Sequence, residues 1–196
     1  MILIFMISNC ICPYCGKEHP YQEIKPVMRK NSRVALFIDG GNLYHAAKKL
    51  GFKIDYLRLK EYFTNEMKLY KAFYYSAYDS TEGFIMKILD WLRHNGFTVR
   101  SKEVKKISHS YVKGNMDVEL TVDMLLNIDH YDIAILFSGD SDFTRCVTEL
   151  QKRNKKVHVV STENSDPPIL AHELKAQADE SIELTDIIPM INQKSG

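Results

Sequence analysis

The chain has 196 residues, 45% hydrophobic and 26% charged, a balance that excludes intrinsic disorder as its overall class and permits a core without disulfides or metal. Lys and Arg number 26 against 25 Asp and Glu, for a net charge of +1, so any affinity for nucleic acid must come from a local patch. No run reaches the roughly 18 apolar residues of a membrane span, and the most apolar stretch, 1–7, lacks the basic flank and small-residue cleavage site of a signal peptide.

Taken in order, residues 1–31 hold Cys10, Cys12 and Cys15 with three prolines, and stand apart from the alternating strand and helix signals that follow. A β-branched and aromatic run at 33–38 predicts the first strand, ending in Asp39-Gly40-Gly41. Helices are predicted at 42–50 and 56–67, with Gly51 as the C-cap signal of the first. An aromatic run at 70–78 predicts a strand, 81–94 a helix closed by Gly96, and 97–107 a further strand. A helix at 116–128 is expected to turn Val118, Val122 and Leu125 inward. The most apolar strand, 133–137, should be central and parallel. A helix at 142–153, a strand at 156–160, a helix at 167–177 and an edge strand at 181–184 complete the pattern. Alternating strands and helices predict an α/β domain with a mostly parallel sheet, over 32–188, between the N-terminal segment 1–31 and a tail 189–196.

In such sheets ligands bind beyond the C-terminal strand ends, where strand order reverses. The first strand delivers Asp39-Gly40-Gly41-Asn42 there, and 133–137 delivers Ser138-Gly139-Asp140-Ser141-Asp142. Asp117 opens the helix after Lys113-Gly114-Asn115. Each cluster alone reads better as a helix N-cap or a turn than as a site. Together, on two strand ends of one sheet, they read as a site. If the two strands are neighbours, Asp39 and Asp140 converge, with Asp117 within reach from the adjoining helix. Carboxylates gathered at one spot repel each other unless a cation is present. Oxygen donors without Cys or His favour Mg²⁺ or Mn²⁺ over zinc, and such an ion suits hydrolysis of a phosphate ester. Asp123, about 120° around the helix from Asp117, reads as solvated or as support for the site.

These motifs in combination, Phe37-Ile38-Asp39-Gly40-Gly41-Asn42-Leu43, Lys113-Gly114 with Asp117-Val118 and Asp123, and Ser138-Gly139-Asp140-Ser141-Asp142-Phe143, resemble an NYN domain of the LabA-like group, in the PIN-like nuclease superfamily. The likeness runs from about residue 33 to 184. It implies a PIN-like three-layer α/β sandwich and a metal-dependent endoribonuclease site, in which Asp39, Asp117 and Asp140 match the acidic metal-binding positions. Asp142 matches the second acid of the family's Ser-Gly-Asp-Ser-Asp motif, and Asn42 its polar position after the first strand. The alternative is a non-catalytic RNA-binding or protein-interaction module on the same fold. A haloacid dehalogenase-type phosphatase would instead end its first strand in Asp-x-Asp, and a Toprim-like nuclease would carry Glu there.

Between 100 and 113 five basic residues, Arg100, Lys102, Lys105, Lys106 and Lys113, face one acid, Glu103. They read as counter-charge for a phosphate backbone or as a solvated edge. Lys113, next to the site, is a candidate phosphate contact, and Ser138 a second candidate substrate contact. Lys152, Arg153, Lys155 and Lys156 form another basic cluster. The aromatic run from Tyr70 to Tyr78 reads as core rather than as a base-stacking platform. Cys12-Pro13-Tyr14-Cys15-Gly16 resembles half of a structural Zn²⁺ knuckle, which Cys10 and His19, or a second chain in a homodimer, would complete. Cys146 reads as buried core. The cysteine usage points to a reducing cytoplasm.

Overall fold

A computed structural model describes residues 32–79, 83–104 and 114–193, together with the backbone of 10–11, 18–19, 106–107 and 110–111. Six strands make one sheet: β1 (Arg33–Asp39), β2 (Lys68–Tyr78), β3 (Phe97–Glu103), β4 (Ile133–Phe137), β5 (Lys156–Ser161) and β6 (Glu180–Glu183). Their spatial order is β6-β5-β4-β1-β2-β3, and every neighbouring pair is parallel. The chain builds outward from β1 to β3, then returns to the middle and builds from β4 to β6. Strand order therefore reverses between β1 and β4, which pair in register from Val34↔Ile133 to Ile38↔Phe137.

The helices are α1 (Gly40–Lys49), α2 (Tyr56–Thr64), α3 (Gly83–His94), α4 (Asp117–Leu126), α5 (Thr144–Lys152), α6 (His172–Gln177) and α7 (Leu184–Ile191). Because side chains alternate across a strand, β1 feeds two cores. Val34, Leu36 and Ile38 pack with α1, α2, α3 and α7. Ala35 and Phe37 pack with α4, α5 and α6. The result is the expected three-layer sandwich. Central β4 is buried along its whole length, as a parallel strand covered on both faces requires. Each fully buried Leu, Ile or Phe contributes about 1.5–3 kcal/mol. At the N-terminal sheet edge, Arg33 clamps β1 to the start of β4, its backbone N–H and guanidinium both donating to Asp132 at 2.9 and 2.7 Å.

Gly51 and Gly96 adopt φ of +73° and +81°, the left-handed conformation expected after α1 and α3. Elsewhere the structure corrects the sequence reading. Helix α4 turns Leu120, Asp123 and Met124 inward and leaves Val118 69% and Val122 44% exposed. Leu120 and Met124 set the inward face, and Asp123 is buried between them against cationic and phenolic partners that apolar periodicity cannot register. The helix expected from 167 is confined to α6, because the N–H groups of Ile169 and Leu170 turn back to the Thr162 carbonyl. Before α5, Ser141–Phe143 form one 3₁₀ turn. Strand β3 stops at Glu103, and 106–107 pair antiparallel with 110–111 instead. Helix α7 carries Pro189 within it and runs to a buried Ile191, past the start expected for the tail.

Candidate active site

The C-terminal ends of β1 and β4 lie side by side at the reversal of strand order. Asp39 ends β1 and caps α1, accepting the Asn42 N–H at 3.1 Å on Oδ1. Its Oδ2 accepts the Ser138 hydroxyl at 3.2 Å. The Ser138 oxygen in turn accepts the Asp140 N–H at 3.3 Å. Asn42 reaches the other way, its Oδ1 accepting the Gly139 N–H at 3.0 Å. Two strand ends distant in sequence are thus stitched by two polar links, Ser138 to Asp39 and Gly139 to Asn42, with a local hydrogen bond holding the turn at each end. The cap and site readings of Asp39 are the same geometry. Glycine is required at two points by close approach: a Cβ on Gly40 would lie 2.5 Å from the Tyr74 ring, and one on Gly139 2.3 Å from the Ile169 carbonyl oxygen.

Helix α4 brings Asp117 to this edge as its first residue, with Asn115 Nδ2 donating to Oδ2 at 2.5 Å. Carboxylate oxygens of Asp117, Asp140 and Asp142 lie within 4.8 Å of one another. Asp140 Oδ1 accepts the Asp142 N–H at 3.0 Å, which folds the second acid back over the first. Among the described residues, no Lys or Arg pairs with any of the three. The Asp117 carboxyl is accordingly pushed up to about 6, by burial first and then by the charges of Asp39, Asp140, Asp142 and Glu119. Burial also raises Asp39, against the lowering effect of the donors from Asn42, Ser138 and Gly41. Asp39 stands beside the trio and shares its field. Closely spaced, uncompensated oxygen donors fit a hard divalent cation.

Other expected site residues fall elsewhere. Ser138, a candidate substrate contact in the sequence, is buried, and its hydroxyl is engaged with Asp39 and Asp140. Lys113, Cys12 and Cys15 lie outside the described residues. The backbone pairing of 10–11 with 18–19 sets Cys10 opposite His19 in register. Asp123 is buried rather than solvated, its Oδ2 accepting from Tyr75 Oη at 3.0 Å and Arg100 Nε at 3.1 Å. That cluster was not legible in the sequence, since Tyr75, Arg100 and Asp123 sit on three elements. The described members of the basic clusters are largely matched. Lys102 pairs with Glu119, Lys152 and Arg153 with Glu149, and Lys156 with Asp179. Phe73, Tyr74 and Tyr75 are core, as expected. So is Cys146, whose thiol burial pushes up to about 11. Among the described residues no helix is long and apolar enough to cross a membrane.

Comparison with known proteins bears on the family and the fold. The NYN domain matches residues 33–185. The low amplitude and bright protein LabA of Synechococcus elongatus is 34% identical over 173 residues, covering 83% of this chain and 89% of its own. A crystal structure of a protein of unknown function from Vibrio parahaemolyticus superposes with a TM-score of 0.68 at 26% identity, over 80% of this chain and 95% of that one.

Proposed function

The chain belongs to the NYN domain family, and on that premise we propose that it is an endoribonuclease, hydrolysing RNA phosphodiester bonds at the switch-point carboxylates with Mg²⁺ or Mn²⁺. The observation that carries this reading is the gathering of Asp117, Asp140 and Asp142 within 4.8 Å without a cationic side chain among the described residues to relieve them. With Asp39 beside them, these residues would hold the ion. When bound, it supplies Lewis-acid stabilisation of charge on a phosphoryl oxygen.

The chain's own groups do the rest. Ser138 and the Asn42 N–H fix the Asp39 carboxylate. Asn42 Oδ1 is committed to Gly139, which leaves its amide nitrogen as the donor for a phosphate oxygen. Asp142 is the most exposed of the trio and accepts a hydrogen bond from the attacking water. Asp117, ionised only above about pH 6 when the pocket is empty, makes ion binding release a proton at acid pH. Lys113, beside the site in sequence, serves the substrate phosphate. The Cys10–His19 register supports a structural zinc knuckle with Cys12 and Cys15, and the clustered cysteine usage suits a reducing cytoplasm.

The test is cleavage of single-stranded and hairpin RNA with manganese, comparing wild type with Asp140→Asn. Loss in the variant supports the reading. Equal cleavage by both marks a contaminant. RNA binding without turnover, unchanged by Asp140→Asn, assigns the fold to a binding module.

A further inference from the structure

Helix α1 starts at the Asp39 turn and carries a one-sided surface away from it. Its sequence, GGNLYHAAKK, contains no acid. The exposed positions are Gly41, Tyr44, His45, Lys48 and Lys49, which share one face by the 3.6-residue period. Leu43, Ala46 and Ala47 occupy the buried face. The exposed stripe therefore runs from the carboxylate pocket through an aromatic pair to two ammonium groups, over about 12 Å of helix.

Tyr44 is 56% exposed, and its ring meets that of His45 in a T-shaped contact at 5.7 Å and 64°. That contact leaves more than half of Tyr44 open to solvent. Lys48 has no carboxylate partner among the described residues. Lys49 donates to the backbone carbonyls of Asp166 and Pro167 at 3.1 and 3.0 Å and has no ion pair among the described residues. Of the described members of the basic clusters prominent in the sequence, Arg100, Lys102, Lys152, Arg153 and Lys156 each have an acidic partner, while Lys155 donates to the Tyr131 carbonyl.

We infer that this face of α1 is the track for single-stranded nucleic acid leaving the pocket. A base stacks on Tyr44, and the following phosphates lie against Lys48 and Lys49. An accessible π-face with acid-free cations is the chemistry that holds an unpaired strand. A duplex keeps its bases stacked on one another and cannot use the ring. The inference rests on the nuclease reading only for where the scissile phosphate sits.

Binding and turnover are therefore measured separately on the full chain. A 12-nucleotide 5′-fluorescein RNA carrying one 2-aminopurine, and its DNA counterpart, are titrated in calcium, with gels confirming that the strand stays intact. Tyr44→Ala is expected to weaken binding about tenfold and abolish 2-aminopurine quenching, while Tyr44→Phe retains both. Lys48→Gln should reduce the slope of log K against log salt by about 0.7. Wild type should prefer the single strand to its duplex. Absence of single-strand binding, duplex binding of equal strength, or Tyr44→Ala and Lys48→Gln binding like wild type would overturn the track, whatever manganese assays show. Weakened binding by these variants with no cleavage by wild type would keep the track and remove the nuclease.

Discussion

Asp117 and Asp123 sit on one helix, less than two turns apart, and meet opposite surroundings. Asp123 faces the interior, where Arg100 and Tyr75 each donate to one of its oxygens. Asp117 faces the sheet edge, where its neighbours are further carboxylates and its pKa climbs to about 6. One helix thus carries a matched acid that holds α4 to β2 and β3, and an acid whose neighbours are further carboxylates. Acidity marks neither role. The sign of the neighbouring charge decides, and perturbed carboxyls at a sheet's switch point are where chemistry is expected.

That contrast is most sharply broken by activity. Asp140→Asn should lower manganese-dependent RNA cleavage at least ~100-fold with the melting temperature kept or raised, whereas Asp123→Asn should keep cleavage. Stability should invert the order. Asp123→Ala leaves Arg100 and the buried Tyr75 hydroxyl without their acceptor, and should cost about 2 kcal/mol in urea unfolding. This is below the range for fully buried pairs because Arg100 is half exposed. Tyr75→Phe removes one of the two donors and should cost about 1 kcal/mol.

The smallest effect is in pH. A carboxyl raised from its ordinary 3.8 to about 6 favours folding fully below about pH 4 and loses that contribution as pH rises through 6. Without divalent ions, Asp117→Asn should therefore melt above wild type at pH 7.5 and converge on it at pH 4. Magnesium should raise wild type more than the variant at pH 7.5. Parallel melting curves across this range would mean that the pocket carries no uncompensated charge.

Much of the pocket was legible because the relevant signals are local. Glycine-flanked acids at the ends of apolar strands, with Asp-x-Asp at 140–142, stand out in a linear reading, and β1–β4 pairing brings Asp39 and Asp140 to one edge as expected. The inward face of α4 was misread because two valines score as apolar and Asp123 as polar, while the partners that make Asp123 buriable lie on β2 and β3. The exposed face of α1 holds fewer basic residues than the runs at 100–113 and 152–156, although its lack of any acid is plain in the letters.

Strand and helix alternation, the sharp turns after β1 and β4, and the family likeness are written in short stretches of chain. They follow from hydrophobic period and backbone freedom, which depend on near neighbours alone. Which acids are neutralised, which lysines keep their charge, and which of Asp39 and Asp142 joins Asp117 and Asp140 most closely were decided by folding. Electrostatic fate depends on distances of a few ångströms between residues as far apart as Asp39 and Asp140, and only the packed sheet sets those distances.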